Sequence, residues 1–252
     1  MLRALAGRSR SVELSRLEID QTTYAIGDVH GRADLLDELI DKIRFDATDA
    51  AEGSVRTVFL GDYIDRGNQS RQVLERLAGL EASAEWEIVF LRGNHEVLLQ
   101  DFLEDPVQAA PRWFRNGGLE TLLSYEIGGA LSPEDEAGLI DMRDRLADKM
   151  APVLPFLSRL QPCHRAGNMF FSHAGADPAL PLDQQSERAL LWGLPSFLET
   201  SRTDGAWVVH GHYITETPVL ETGRIGVDTG AYYSGRLSAA RITSGSVTFL
   251  TT

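Results

Sequence analysis

One structural unit occurs three times in the first part of the chain: a short apolar run of β type, a polar loop that contains glycine, and apolar residues at helical spacing. The apolar runs cover residues 22–26, 55–60 and 86–91. Short runs that are each followed by a helical pattern predict strands that alternate with helices. Such alternation is typical of βαβ units, so we expect an α/β fold with a largely parallel sheet.

The pattern changes twice in the rest of the chain. Residues 105–160 have a helical pattern, and Ser132 followed by Pro133 is typical of a helix start. We expect this stretch to be a helical insertion over one end of the sheet. Strand-type runs then return, and the last two of them predict a closing hairpin. These runs cover residues 169–172, 206–209, 225–227, 237–242 and 246–250.

The N-terminal residues differ from the rest of the chain. Residues 1–19 have no clear period, and we expect a flexible arm ahead of one domain formed by residues 20–252. The arm lacks the apolar core of a signal peptide, and the chain has no apolar segment as long as the about 18 residues of a membrane span. We therefore expect a cytoplasmic protein.

The chain is acidic, with a formal net charge of −13. Nucleic acids are bound largely through Lys and Arg contacts to phosphate, so this charge disfavours nucleic acid as a partner, and it disfavours an anionic membrane surface as well. Phosphorylated substrates stay compatible with it, because bound metal ions would reverse the charge locally. The single cysteine, Cys163, excludes an intramolecular disulfide and a cysteine-rich zinc site.

Potential metal ligands follow five of the β-type runs directly. The carboxyl ends of strands are where α/β sheets bind their ligands. The residues are Asp28, His30, Asp62, Asn94, His95, His173, His210 and His212. Carboxylate and imidazole groups suit manganese, iron or zinc, and their number exceeds what one ion needs. Two ions that share a carboxylate would use them, and two-metal sites serve phosphoryl chemistry.

Each of these motifs alone has a simpler explanation. Asp28 and His30 could be a polar pair in a turn, Asn94 a turn residue, and His173 an ordinary histidine at the end of a strand. Their occurrence together and in this order is what favours a metal centre. His164 lacks such a context, and we expect it at the surface or in the core.

Five short motifs carry the candidate ligands and the residues around them. They are Gly27-Asp28-Val29-His30-Gly31, Gly61-Asp62-Tyr63-Ile64-Asp65-Arg66-Gly67, Arg92-Gly93-Asn94-His95-Glu96, Ser172-His173-Ala174-Gly175 and Gly211-His212. Together they resemble the calcineurin-like metallophosphoesterases, and more narrowly the PPP-type serine/threonine phosphatases of the small bacterial and phage kind. The resemblance implies a two-sheet β-sandwich flanked by helices, with four layers in the order αββα and the site on loops at one edge.

The resemblance also implies a set of metal ligands. Two divalent ions, manganese or else iron or zinc, would share Asp62. Asp28 and His30 would complete the first ion, and Asn94, His173 and His212 the second. A water that bridges the ions would attack phosphorus. Alternate residues of a strand point to the same side, so His210 and His212 both remain near the site. The family pattern selects His212, the histidine after the glycine, and leaves His210 as a supporting residue.

Other residues are implied to act on the substrate. His95, oriented by Asp65, would protonate the leaving oxygen, since a carboxylate partner fixes the ring and favours its protonated form. Arg66 would bind the phosphate oxygens, as a guanidinium group does well. Asn116 lies in a loop similar to one in small bacterial members, where it would line the substrate groove; a plain cap of that loop is the alternative.

The sequence departs from the family at one point. Relatives often carry an arginine shortly after a Leu-Trp pair as a second contact to phosphate, but Trp192 is followed here by glycine and Leu194. Arg112, Arg115 and Arg224 are the candidates for the missing contact. This departure bears on the affinity for the substrate and on its identity more than on the metal chemistry.

Three functions compete. The first is dephosphorylation of phosphoserine and phosphothreonine in proteins, favoured by the Gly93-Asn94-His95-Glu96 motif. The alternative is symmetrical hydrolysis of diadenosine tetraphosphate, a branch that tends to have aspartate in place of Glu96 and a longer insertion than 252 residues leave room for. A non-catalytic, metal-binding regulatory module is the third, and the presence of every expected ligand and of His95 speaks against it. The substrate is therefore expected to be a phosphorylated protein or a small phosphoester.

Overall fold

The computed structural model describes residues 17–49, 55–83, 87–128 and 135–252. The helix start predicted at Ser132 and Pro133 lies outside these ranges, as do residues 1–16 of the predicted arm. At the described end of that arm, Leu17 is 2% exposed and packs between the two sheets.

Strands of the described residues form two five-stranded sheets. The first sheet has the order β10-β9-β1-β2-β3, and the second has the order β4-β5-β6-β8-β7. The strands are β1 Thr23–Ile26, β2 Arg56–Phe59, β3 Glu87–Phe90, β4 Cys163–Ala166, β5 Met169–Ser172, β6 Trp207–His210, β7 Val219–Glu221, β8 Arg224–Gly226, β9 Ser238–Thr243 and β10 Ser246–Thr251.

Both sheets are mixed. Strands β1, β2 and β3 are parallel, as their alternation with helices predicts, and the hairpin β9–β10 adds antiparallel strands beside β1. In the second sheet β5, β6 and β8 are parallel, while β4 and β7 pair antiparallel at its edges. The carboxyl ends of the parallel strands therefore collect several loops at one edge of each sheet.

Helices connect and cover the sheets. Those that follow strands begin with the apolar spacing seen in the sequence, and α4 to α7 occupy the stretch interpreted as an insertion. The helices are α1 Ala33–Asp49, α2 Ser70–Ser83, α3 Asn94–Glu104, α4 Pro106–Arg115, α5 Gly118–Ser124, α6 Glu136–Met150, α7 Leu154–Leu157, α8 Glu187–Trp192, α9 Pro195–Glu199 and α10 Ala231–Ser234. No helix in the described part of the chain is long and apolar enough to cross a bilayer.

Alternation along the strands creates the layers. In β1, Tyr24 and Ile26 face the helical core, whereas Ala25 faces the core between the sheets. In β5, Phe171 lies between the sheets and Phe170 packs under α8 and α9 on the outer face. The order is helices, sheet, sheet, helices, which confirms the predicted αββα sandwich.

Candidate metal centre

The six predicted ligands lie at one edge of the sandwich, in loops that leave the carboxyl ends of β1, β2, β3, β5 and β6. Five of them are at most 4% exposed, and His212 is half-buried. Buried charged groups of this kind are rarely tolerated unless they are paired or bind a metal. The placement is therefore that of a functional centre.

Asp62 lies in the middle of the cluster. Its Oδ1 accepts a hydrogen bond from the backbone N–H of His95 at 3.0 Å. Its Oδ2 lies 3.4 Å from His173 Nε2 and 3.5 Å from His30 Nε2. A Cβ atom at Gly93 would lie 2.1 Å from Asp62 Oδ1, so only glycine allows this approach. One oxygen is thus fixed by the backbone, and the other faces histidines from two different loops.

Two groups of potential ligand atoms share Asp62. Within each group the atoms lie within 4.8 Å of one another, and the groups are His30, Asp62 and His95, and Asp62, His173 and His212. This is the arrangement that two ions with a common carboxylate require. The first group contains His95, which the sequence had suggested as the proton donor, and it does not contain Asp28.

Asp28 joins the centre from the other side. Its carboxylate accepts the backbone N–H of His212 at 3.1 and 3.2 Å, and it lies beside the carboxyl group of Asp228. A Cβ atom at Gly211 would lie 2.0 Å from Asp28 Oδ1, so glycine is needed there too. Asp28 therefore borders the second group through His212, while its carboxylate stays available as a ligand.

Backbone carbonyl oxygens orient the rings of two histidines. His30 Nδ1 lies 2.8 Å from the carbonyl oxygen of Ile64, and His173 Nδ1 lies 2.9 Å from that of Leu60. Each Nδ1 therefore carries a proton and donates it, which leaves Nε2 as the ring atom that could bind a metal ion. Asn94 Oδ1 lies 2.9 Å from His173 Nε2, so the amide oxygen joins the same group.

The charge among these side chains is unbalanced without a cation. Burial and the neighbouring Asp228 raise the pKa of Asp28 well above its usual range. Burial lowers the pKa of His173, but the carboxylates of Asp62 and Asp28 outweigh it and raise that pKa to about 10. A bound cation would neutralise the carboxylates and replace the extra proton on His173. The residues present thus fit divalent ions.

The backbone of the centre is strained. Five of the predicted site residues have a positive φ, although glycine alone adopts this conformation freely: His30 (44°), Asp62 (53°), Asp65 (70°), Arg66 (65°) and His212 (61°). Each such conformation costs on the order of 1–3 kcal/mol and persists only where the surroundings enforce it. Their concentration in the loops of one edge supports a functional role for these loops.

His95 and Asp65 form a buried pair. His95 Nδ1 lies 2.7 Å from Asp65 Oδ2, and the carboxylate also accepts hydrogen bonds from Thr121 Oγ1 at 2.6 Å and Trp113 Nε1 at 3.0 Å. Burial lowers the pKa of His95, but the carboxylates of Asp62 and Asp65 outweigh it and raise the pKa above its ordinary value. His95 Nε2 is buried and has no hydrogen-bond partner among the described residues.

Arg66 is half-buried and lies close enough to His95 for its charge to act on the pKa of that ring. Its backbone N–H donates to the carbonyl oxygen of Gly117 at 3.2 Å, and its guanidinium carbon lies 5.0 Å from the ring centre of Tyr232. The side chain of Asn116 donates to the carbonyl oxygen of Arg112 at 2.8 Å, so it caps α4. The loop containing Asn116 therefore reaches Arg66 through its backbone.

The remaining candidates occupy other positions. His210 Nδ1 lies 2.9 Å from the carbonyl oxygen of Gly211, and its ring packs against Phe197. Burial lowers the pKa of His210 to about 4, so it is neutral. Arg112 lies over the ring of Trp192 at 4.3 Å, close to the segment that lacks the expected arginine. Arg224 donates to the backbone of Phe197, away from the ligands.

The sequence matches the model of one protein family. The model of the calcineurin-like phosphoesterases matches residues 22–216. The chain belongs to the calcineurin-like phosphoesterases. It is a metal-dependent phosphoesterase, as the motifs predict, and the matched range contains all six predicted ligands.

Relatives of this phosphoesterase align over most of its length. It is 25% identical over 274 residues to a symmetrical bis(5'-nucleosyl)-tetraphosphatase of Janthinobacterium sp. (strain Marseille), covering 88% of this chain and 93% of the relative. It is 28% identical over 238 residues to the asymmetrical bis(5'-nucleosyl)-tetraphosphatase PrpE of Oceanobacillus iheyensis, covering 86% of each. The crystal structure of a candidate diadenosine tetraphosphatase has a TM-score of 0.59 at 22% identity over 91% of this chain and 93% of its own, which supports the fold.

The roles of two residues of the phosphoesterase centre, Glu96 and Asp228, were missed from the sequence. Glu96 accepts hydrogen bonds from the backbone N–H groups of Asp62, Tyr63 and Gly93 at 2.8–2.9 Å, and burial together with Asp62 raises its pKa to about 7. A glutamate three residues after the helix N-cap often bonds to the N-cap N–H, so the bond to Gly93 could have been predicted, whereas the bonds to Asp62 and Tyr63 could not. Asp228 also had a signal, since it follows a strand-type run as the ligands do.

Proposed function

We propose that this phosphoesterase hydrolyses dinucleoside tetraphosphates, with diadenosine tetraphosphate as the representative substrate. The observation that carries the proposal is the near full-length alignment with two bis(5'-nucleosyl)-tetraphosphatases, one symmetrical and one asymmetrical. Both activities break a phosphoanhydride bond, and the buried cluster around Asp62 is suited to phosphoryl chemistry. The substrate proposed second from the sequence thus moves ahead of the phosphoprotein.

Two sequence arguments against this substrate lose their force. The first was chain length, but the alignment reaches 93% of the Janthinobacterium relative, so 252 residues do not set the chain apart. The second was Glu96, which has aspartate as its counterpart in that branch. The Glu96 carboxylate accepts hydrogen bonds from the backbone of Asp62 and Gly93. Glutamate at this position therefore serves to support the Asp62 loop and does not by itself argue against a dinucleotide substrate.

The metal centre would be held by the six predicted ligands. Asp28 and His30 contribute from the loop after β1, and Asp62 is the shared carboxylate, while Asn94, His173 and His212 complete the set. Bound there, divalent ions would polarise the phosphoryl oxygens and make a water nucleophilic near neutral pH. Burial lowers the pKa of His30 to about 3 and that of His212 to about 4, so both rings offer unprotonated ligand atoms.

The protein side chains would then manage the proton and the phosphate. In the hydrolysis, a bond forms between the water oxygen and phosphorus, and the bond from phosphorus to the leaving oxygen breaks. His95 Nε2 would give its proton to that oxygen, while Asp65 keeps the ring oriented and favours its protonated form. Arg66 would hold the phosphate oxygens.

A second candidate substrate is a phosphoserine or phosphothreonine side chain in a protein. The observation that favours it is the fully formed pair of His95 and Asp65, 2.7 Å apart and buried. A serine alkoxide is a poor leaving group, so its release depends on proton donation more than the release of a nucleotide phosphate does. A complete proton donor is therefore of most use on phosphomonoesters of alcohols.

An activity panel with manganese separates these substrates. The panel consists of diadenosine tetraphosphate, a phosphoserine/phosphothreonine peptide, a phosphotyrosine peptide and p-nitrophenyl phosphate. We expect the highest kcat/KM on diadenosine tetraphosphate, with products separated by chromatography: two ADP from symmetrical cleavage, ATP and AMP from asymmetrical cleavage. A higher kcat/KM on the phosphoserine peptide would give the second candidate precedence. Inactivity on all four would favour a metal-binding regulatory module.

A further inference from the structure

Two adjacent tyrosines lie beside the metal centre and have no part in the mechanism above. Tyr232 and Tyr233 belong to α10, in the turn that follows Asp228. We propose that this turn is a nucleobase subsite, in which Tyr232 positions Arg66 and Tyr233 stacks on a base of the dinucleotide. The inference deepens the proposed function and rests on it.

A chain of ring contacts connects the turn to the ligands. The ring centres of His30 and Tyr232 are 5.4 Å apart, and those of Tyr232 and Tyr233 are 5.1 Å apart, both in edge-to-face geometry. The guanidinium carbon of Arg66 lies 5.0 Å from the centre of the Tyr232 ring. Tyr232 therefore touches a candidate ligand, the candidate phosphate-binding arginine and the second tyrosine.

Tyr233 presents an unusually open aromatic surface. Its exposed fraction is 63%, whereas most large aromatic side chains of the described residues are buried. Exposed Phe45, at 74%, lies on α1 beside Leu250 and has no ring contact with the site residues among the described contacts. Tyr233 is thus an exposed ring within two ring contacts of a candidate ligand, and Phe45 offers a matched control.

The turn that carries the tyrosines is built from internal hydrogen bonds. The Asp228 carboxylate accepts the backbone N–H of Gly230 at 2.8 Å, and Ser234 Oγ donates to the carbonyl oxygen of Thr229 at 2.7 Å. Gly230 has a φ of +66°, and a Cβ atom there would lie 2.2 Å from Tyr233 Cε1. The ring therefore rests against the Gly230 backbone. A ring held in this way loses little conformational entropy when it binds a base.

The chemistry of the substrate fits this arrangement. A dinucleoside polyphosphate has a charged chain that metal ions and Arg66 can bind, and at each end a base joined through a ribose. Every base has a π-face, so an aromatic ring can stack on it without reading its identity. The subsite should therefore favour nucleotides over phosphopeptides without strong preference between adenine and guanine.

The test compares the KM of variants on diadenosine tetraphosphate and on β-glycerophosphate, which contains no ring. Loss of a stacked base weakens binding about fivefold or more. We expect Tyr233→Ala to raise the KM for diadenosine tetraphosphate at least about fivefold more than the KM for β-glycerophosphate, while kcat stays nearly unchanged. Tyr233→Phe should restore the wild-type KM for diadenosine tetraphosphate. Phe45→Ala should match the wild type on both substrates.

Substitution of Tyr232 should change the KM values differently from substitution of Tyr233. Because both substrates carry the phosphate that Arg66 would hold, Tyr232→Ala should raise the KM on both, and Tyr232→Phe should restore both. Equal changes of KM on the two substrates in Tyr233→Ala, or no change at all, would overturn the nucleobase subsite. A wild-type protein that leaves diadenosine tetraphosphate intact but hydrolyses β-glycerophosphate would overturn the proposed function, and the subsite with it.

Discussion

Charged groups lie at both ends of the parallel strands of the first sheet, but their surroundings differ. At the amino ends of β1 to β3, Arg56 is 6% exposed and donates to two carboxylates. Its Nη1 lies 2.9 Å from Asp20 Oδ1, and its Nε lies 2.7 Å from Glu87 Oε1. Each carboxylate is partnered by a fixed cation, and the pKa of each is held below its ordinary value by Arg56.

At the carboxyl ends, no arginine or lysine of the described residues pairs with the carboxylates of Asp28 and Asp62. Asp28 lies beside Asp228, and Asp62 is surrounded by the rings of three histidines. The amino end is thus complete as it stands, and its charges serve stability. The carboxyl end holds buried carboxylates that divalent cations could balance, and its loops carry five positive φ values outside glycine. The difference teaches that buried carboxylates surrounded by histidines, with no arginine or lysine partner among the described residues, mark the functional edge.

The largest effect is expected from Asp28→Asn. Loss of a metal ligand removes several kcal/mol of transition-state stabilisation, which lowers kcat/KM with manganese by about 10³-fold. In the presence of EDTA the variant should unfold at the same temperature as the wild type or a higher one, because a repulsion with Asp228 is removed. Steady-state kinetics and thermal unfolding check the two parts. Near-normal turnover would show that Asp28 binds no metal.

His95→Asn should have the next largest effect, and one that depends on the substrate. General acid catalysis contributes about 10²–10⁴-fold when the leaving group is poor. We expect a loss of about 10²-fold or more on a phosphoserine peptide and a much smaller loss on p-nitrophenyl phosphate, whose leaving group needs little protonation. Equal losses on the two substrates would remove His95 from the role of proton donor.

A substitution at the amino ends of the strands should lower stability and leave the activity unchanged. Arg56→Met should lower the free energy of unfolding by about 1 kcal/mol, a modest value because water screens the exposed carboxylates of Asp20 and Glu87. The kcat/KM of the folded variant should equal that of the wild type. Urea unfolding and the activity assay test both statements, with Arg56→Lys as the charge-preserving control. A large loss of activity would break the separation between the two ends.

The smallest effect is the pH dependence of that stabilisation. Arg56 holds the pKa of Asp20 below 3.8 and that of Glu87 below 4.5. A carboxylate with a lowered pKa stabilises the fold fully above its ordinary pKa and loses this effect as the pH falls through the lowered value. The stability difference between the wild type and Arg56→Met should therefore be constant from pH 7 to about 5 and shrink below about pH 4. An unchanged difference at pH 3.5 would contradict the ion pairing.

Much of the site could be predicted because it depends on local order in the sequence. Asp28, Asp62 and His173 follow β-type runs, and parallel strands place the ends of such runs at one edge. The strands themselves were recognisable by their apolar residues, apart from β4 and β7. These two are short edge strands with polar residues and partly exposed side chains, so they lack a period that could reveal them.

Other parts of the site depend on contacts between distant residues. Trp113 and Thr121 bond to the Asp65 carboxylate across 48 and 56 residues, and nothing in their local sequence points to that partner. The positive φ of His30 and Arg66 is imposed by the surrounding fold, since the sequence alone would favour ordinary backbone there. Tertiary packing decides such features, and they become visible only in the structure.

The shared role of Asp62 is tested most directly by the anomalous diffraction of manganese in crystals grown with that ion. We expect two anomalous peaks roughly 3.5–4 Å apart, both in contact with the Asp62 carboxylate and flanked by His30 and His173. A single peak, or peaks that do not touch Asp62, would contradict a centre in which one buried carboxylate holds two cations.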